Sequence, residues 1–188
     1  MKLFYREYGQ ENEDKLLILH GLFGMSDNWV GPAKKLAEHF HCIIPDHRNH
    51  GMSMHHDVFS YESMLEDLEE FIEDHNIYDC NILGHSMGGK LAMYYAGNNP
   101  EMVKKLIVAD ISPVSYRPTR HAHLLQIMKE LDFKTIKDRK EIEKYLMERL
   151  DERRMMWFVM KNIKMITRTQ YAWKLNIQAI MDNIVNIF

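Results

Sequence analysis

The amino-acid sequence predicts an α/β protein: a doubly wound, mostly parallel sheet carrying a helical cap. Three observations carry this expectation. Short apolar runs alternate with amphipathic segments over the first 113 residues, and the runs are bounded by turn residues. After about Pro113 the alternation gives way to helical patterns. Short apolar runs between turns suit strands buried on both faces of a parallel sheet. Alternation of strand and helix implies right-handed crossovers.

Taken in order, residues 3–8 read as a peripheral strand. Residues 15–20 form a buried one that ends at Gly21. Residues 27–40 carry Trp29, Ala33, Leu36, Ala37 and Phe40 at helical spacing, and residues 41–46 give the next strand. Residues 61–75 place Met64, Leu65, Leu68, Phe71 and Ile72 on one helical stripe. The opposite side holds Glu62, Glu66, Asp67, Glu69, Glu70, Glu73 and Asp74, which reads as a solvated outer face. Residues 79–84 and 105–110 are further strands, separated by a helix over 87–97 that stops at Gly97-Asn98-Asn99-Pro100. Beyond them, residues 121–131, 138–150 and 152–163 are expected to be helical, and 165–173 to form a small hairpin. Met128, Met147, Met155, Met156, Met160 and Met165 read as plastic core, with an adaptable apolar pocket as the alternative. The expected division is 1–113 for the sheet domain and 114–188 for the cap region.

Composition removes several classes. The 188 residues hold 24 Lys and Arg against 27 Asp and Glu, a net charge of −3, with 46% apolar residues. That is too apolar for disorder and too poor in cysteine for a disulfide scaffold. A charge so near zero argues against nucleic acid or an anionic membrane held by bulk electrostatics. Cys42 and Cys80 sit beside apolar runs and read as free thiols in a reducing compartment. The charged start of the chain and the lack of a long apolar run lead to the expectation of a soluble, cytoplasmic protein without a membrane span. His55-His56 has no third ligand at suitable spacing, so no metal site is expected.

Gly84-His85-Ser86-Met87-Gly88-Gly89 is the most informative stretch. It follows an apolar run and opens a helix, the setting that a Gly-x-Ser-x-Gly nucleophile elbow requires. Serine in so sharp a turn is forced into a strained backbone, and glycines two before and two after it avoid clashes. The hydroxyl then stands above the sheet beside a helix N-terminus, which favours developing negative charge. Acyl transfer needs two N–H donors aimed at the oxyanion. One should come from Met87, the residue after the serine. The other should come from His20-Gly21-Leu22-Phe23-Gly24, at the end of an earlier strand in the same crevice.

With these segments in place the chain resembles the α/β-hydrolases, within them the small acyl-esterase and thioesterase branch. The resemblance rests on His20-Gly21-Leu22-Phe23-Gly24, on Asp46-x-Arg48-Asn49-His50-Gly51-x-Ser53, on Gly84 to Lys90, and on Asp110-Ile111-Ser112-Pro113. It implies Ser86 as nucleophile, the N–H groups of Leu22 and Met87 as oxyanion hole, and a cap from about Val114 that sets acyl preference. Asp110 stands where some branches keep the carboxylate that orients the base; its other reading is a cap on the Ser112-Pro113 turn. Asp46 and Arg48 read as a loop clamp, pairing with one another or with the Gly51 turn. His20, Phe23, His85 and His121 are candidates to line the substrate pocket. The implied substrate is a small acyl ester or thioester, with no cofactor. Ser86 disfavours the dehalogenase and epoxide-hydrolase members, which use an aspartate nucleophile.

The family order is serine, acid, histidine, with the histidine on a loop after the last strand. After Ser86 only His121 and His123 remain, both at the start of the cap. The base is therefore expected from outside these 188 residues, whose last six read as a helix cut short. The strand ending at Asp110 is then expected to be a bare sheet edge, and dimerisation through that edge or the cap follows as an expectation. Other classes stay open: a catalytically incomplete hydrolase acting as a binding protein, or a C–C bond hydrolase or cofactor-free haloperoxidase of the same fold.

Overall fold

The computed structural model describes residues 1–136 and 138–188. The chain opens with β1 (Tyr5–Tyr8), β2 (Lys15–Leu19), a 3-10 turn at Ser26–Asn28 and α1 (Val30–Leu36). It continues through β3 (His41–Pro45), α2 (Tyr61–Asp74), β4 (Cys80–His85), α3 (Met87–Asn98) and β5 (Val103–Ala109). The five strands make one sheet in the order β1-β3-β2-β4-β5. β1 runs antiparallel to β3, and every other pairing is parallel.

The two-residue period of the strands buries both faces. Leu16, Ile18, Cys42 and Ile44 form one side, packed with Ala33 of α1 and with Trp29 and Leu36. Leu17, Leu19, Ile43 and Ile82 belong to the other, with Leu68 and Phe71 of α2 and Leu91 and Ala92 of α3. Full burial of one such side chain contributes roughly 1.5–3 kcal/mol. Both free cysteines are buried, as expected.

Two readings of this part need correction. The helix expected over 27–40 is shorter, because Pro32 has no N–H to give back to Asn28. The chain therefore turns at Ser26–Asn28 and enters α1 with proline in its first turn. On α2, Asp67 is not part of the solvated face. It is 3% exposed and accepts two bonds from Arg48, Nε to Oδ2 at 2.6 Å and Nη2 to Oδ1 at 2.8 Å. Arg48 therefore clamps α2 rather than Asp46. Asp46 accepts from the N–H groups of Ser26 (2.6 Å) and Met52 (2.9 Å), the latter in the Gly51 turn.

The rest of the chain is a helical layer: α4 (Thr119–Glu130), α5 (Arg139–Met147), α6 (Arg153–Lys161), a hairpin of β6 (Ile163–Thr167) and β7 (Gln170–Trp173), and α7 (Ile177–Asn183). The final residues do not continue as one helix: α7 stops at Asn183, and a 3-10 turn follows at Ile184–Asn186. The hydrophobic cluster on the inner sheet face extends into this layer through Leu125, Met128, Leu146, Met156, Met160 and Ile180. Met128, Met156 and Met160 are thus core, whereas Met147 and Met165 are exposed. Backbone bonds tie the layer to the strand-end loops, Asn176 N–H to Asn49 O at 3.1 Å among them. Among the described residues no helix is long and apolar enough to cross a membrane, and no group of His, Cys, Asp and Glu could hold a metal ion.

Candidate active site

Ser86 sits between β4 and α3 at φ 51°, ψ −119°. A non-glycine residue on that side of the map stores strain, and strain of this kind clusters at functional positions. The turn is held from outside: Ser86 N–H donates to Ala109 O of β5 at 2.9 Å, and Ser86 O accepts from Gly89 and Lys90 at the start of α3. Gly88 makes the geometry feasible. A Cβ there would collide with the carbonyl groups of Leu19 and His20, so only glycine lets α3 approach β2 this closely. Gly21 of the facing loop is close but less constrained, since a Cβ there would lie 3.0 Å from His85 Nδ1 and 3.2 Å from Ser86 Cβ.

The facing loop, residues 21–24, carries its own strain, with Phe23 at φ 63°. Beneath it lie three buried histidines. His20 Nδ1 donates to Gly21 O at 2.9 Å, and its Nε2 accepts from His47 N–H at 3.1 Å. His50 Nδ1 donates to Arg48 O at 2.9 Å, and its Nε2 accepts from Phe23 N–H at 3.2 Å. His47 Nε2 donates to His20 O at 3.1 Å. Each ring is fixed as one neutral tautomer. Burial lowers His20 to about 4 and His50 to about 3, and pushes His47 well below its ordinary value. His20 borders the cavity, yet both its ring nitrogens are committed to backbone.

Above the serine is a cavity of about 880 Å³, bounded by the loop, the elbow, Asp110 and the inner side of the helical layer. Leu22, Phe23, His85 and His121 all reach it, as do Trp29, Met155 and Phe158. His121 lies between aromatic rings, 6.0 Å from Phe23 and 4.6 Å from Phe188, and burial lowers its pKa. Asp110, at φ 58°, is open to solvent with its Oδ2 3.8 Å from His85 Nε2. It does not cap the following turn: the Ser112 N–H donates to the Tyr116 hydroxyl instead, at 3.1 Å. Met87, as the first residue of α3, has an N–H with no intrahelical acceptor. Among the described residues, Leu22 N–H and Ser86 Oγ also make no hydrogen bond. The structure therefore brings Ser86, Leu22 and Asp110 to one cavity, with Met87 following the serine at the start of α3, and places neither His85 nor His121 on the hydroxyl.

The fold has counterparts. Residues 15–135, more than half of the chain, match the alpha/beta hydrolase fold family. The chain belongs to the alpha/beta hydrolases. It is 35% identical over 187 residues to the sn-1-specific diacylglycerol lipase ABHD11 of Danio rerio, covering 95% of this chain and 58% of that one. It is 28% identical over 178 residues to Esterase YbfF of Escherichia coli, covering 95% and 68%. A solved structure described as a marine microorganism esterase superposes with a TM-score of 0.95 at 45% identity, covering all of this chain and 73% of that one. The chain thus spans 58% of the length of the Danio rerio relative and 61% of that of an esterase/lipase from Haemophilus influenzae.

Sequence reasoning missed one residue that supports the 21–24 loop. Asn162, fully buried at the end of α6, donates its Nδ2 to Phe23 O at 2.8 Å. The strained Phe23 is thereby gripped on both sides, its N–H by His50 and its C=O by Asn162. The two partners are 139 positions apart, and a lone asparagine at a helix end gives no sequence signal beyond an ordinary cap.

Proposed function

We propose that this hydrolase is a carboxylic ester hydrolase working through an acyl-enzyme on Ser86. The observation that carries the reading is the strained Ser86 elbow facing the 21–24 loop across the floor of the cavity. Ser86 Oγ attacks the ester or thioester carbonyl carbon and its proton passes to a base. The tetrahedral oxyanion is held by the N–H groups of Leu22 and Met87. The carbon–oxygen or carbon–sulfur bond then breaks, the alcohol or thiol takes the proton, and water releases the acid and restores the serine. Asp110 orients the base histidine, which comes from the part of the hydrolase that the relatives have beyond this match. The helical layer from about Val114 acts as a cap, with Phe23 and His121 on its pocket wall and His85 at the rim. We place the protein in the cytoplasm, in keeping with two buried unbridged thiols.

A second reading, a binding protein on a hydrolase scaffold, is favoured by the lone Ser86 hydroxyl and by the uncovered edge of β5. Fluorophosphonate labelling with imidazole as external base separates the two. Labelling that disappears in Ser86→Ala supports the nucleophile; folded wild-type protein that stays unlabelled overturns it.

A further inference from the structure

Six of the 24 Lys and Arg residues, and none of the 27 Asp and Glu residues, fall between Arg153 and Met181. A net charge of −3 therefore hides a separation, with α2 acidic on its outer face and α6 and the β6–β7 hairpin basic. Arg153, Arg154, Lys161, Lys164 and Arg168 are all exposed, and among the described residues none pairs with a carboxylate. Lys174 alone approaches one, 3.9 Å from Asp27.

Between these cations stand large apolar side chains. Trp157 is 49% exposed, Met165 65% and Ile166 57%. On α6, Arg154, Trp157 and Lys161 share one face by their spacing of three and four. Met156, Val159 and Met160 on the same helix are buried, and Met155 and Phe158 line the cavity. The buried Asn162 and Ile163 join this helix directly to the hairpin, where the register shifts between Met165 and Thr167 and both Met165 and the unpaired Ile166 are uncovered. Residues 164–170 of this ribbon are exposed, while Tyr171 and Trp173 of β7 pack against Phe133 and Lys174 N–H donates to Asn162 O at 2.7 Å at its root.

We propose that the outer face of α6 and the β6–β7 hairpin dock on an anionic lipid surface. Charge complementarity selects an anionic partner, and the apolar residues select among anions. Met165 and Ile166 have no ring to stack on a base, and a phosphate backbone offers no apolar phase to receive them. A bilayer supplies both, headgroup charge for the cations and an acyl boundary for Trp157, Met165 and Ile166. The near-zero net charge excludes attraction by the molecule as a whole, not by this face. Docking brings the cavity wall within one helix diameter, about 10 Å, of the lipid.

Vesicle binding tests this without any use of Ser86, so its outcome is independent of the catalytic reading. The protein is sedimented with phosphatidylcholine vesicles and with vesicles that also contain phosphatidylglycerol, at low and high salt. Co-sedimentation is expected only with phosphatidylglycerol, weakening with salt and by roughly fivefold for each of Lys161→Glu, Lys164→Glu and Arg168→Glu. Met165→Ser with Ile166→Ser should weaken it too, and Trp emission should shift to the blue in wild type but not in Trp157→Phe. All of these positions are exposed, and circular dichroism verifies folding. Equal binding to both vesicle types overturns the proposal. So does binding of heparin or single-stranded DNA that survives the Met165 and Ile166 changes while vesicles are not bound, which would assign the face to a polyanion.

Discussion

At the scale of single residues, the buried histidines under the 21–24 loop make a pH prediction. His20 near 4 and His50 near 3 lie below the ordinary value of 6.5, because burial disfavours their charged forms. Above pH 6.5 neither folded nor unfolded chains carry these protons, so stability is unaffected. As pH falls below 6.5 the unfolded chain takes up protons first, and stability is lost until the folded values are passed. His20 alone accounts for about 3 kcal/mol of that loss. Urea midpoints at pH 7, 5.5 and 4 check it, with the sharpest fall expected below 5.5. Arg48 gives a second test. Arg48→Met leaves Asp67 buried without its bidentate partner and should cost about 3–5 kcal/mol, whereas the paired change with Asp67→Leu should recover much of that. Thermal melts decide between them. The sequence showed Arg48 as a clamp but not its partner, since a carboxylate among six others on one helix carries no mark of being the buried one.

At the scale of elements, the strand-elbow-helix unit was legible because its requirements are local. Gly88 lies where any β-carbon strikes the Leu19 and His20 carbonyl groups, so Gly88→Ala should destabilise the protein by about 3 kcal/mol or more, seen as a lower urea midpoint. The grip on Phe23 was not legible, because it joins α6 to a loop near the start of the chain. Asn162→Ala removes the partner of a buried carbonyl and should cost about 1–2 kcal/mol. If the clamp positions the oxyanion donor, it should also slow fluorophosphonate labelling of Ser86 by more than that loss of folded protein explains. Unchanged labelling of the folded fraction would confine Asn162 to a structural role. The helix over 27–40 is shorter than its apolar spacing predicts, because Pro32 lacks the N–H that would bond back to Asn28.

At the scale of the whole molecule, β5 is one of the two edges of the sheet among the described residues, with Leu106 38% and Ile107 51% exposed. Unpaired strand groups beside apolar side chains invite another chain. Ile107→Lys should lower self-association at high protein concentration, read by light scattering, and leave the melting temperature within a few degrees. The sequence by itself determined the order of elements, the elbow, the 21–24 loop and the family, because strand periodicity and turn chemistry act over a few residues. Only the tertiary structure decided that Asp67 leaves the acidic face to bind Arg48, that Asn162 holds Phe23, and that Trp157 and Met165 stay exposed beside cations that pair with no carboxylate among the described residues. Those facts depend on which segments meet in space, and pairings between distant segments are fixed by packing against the sheet rather than by any neighbouring residue.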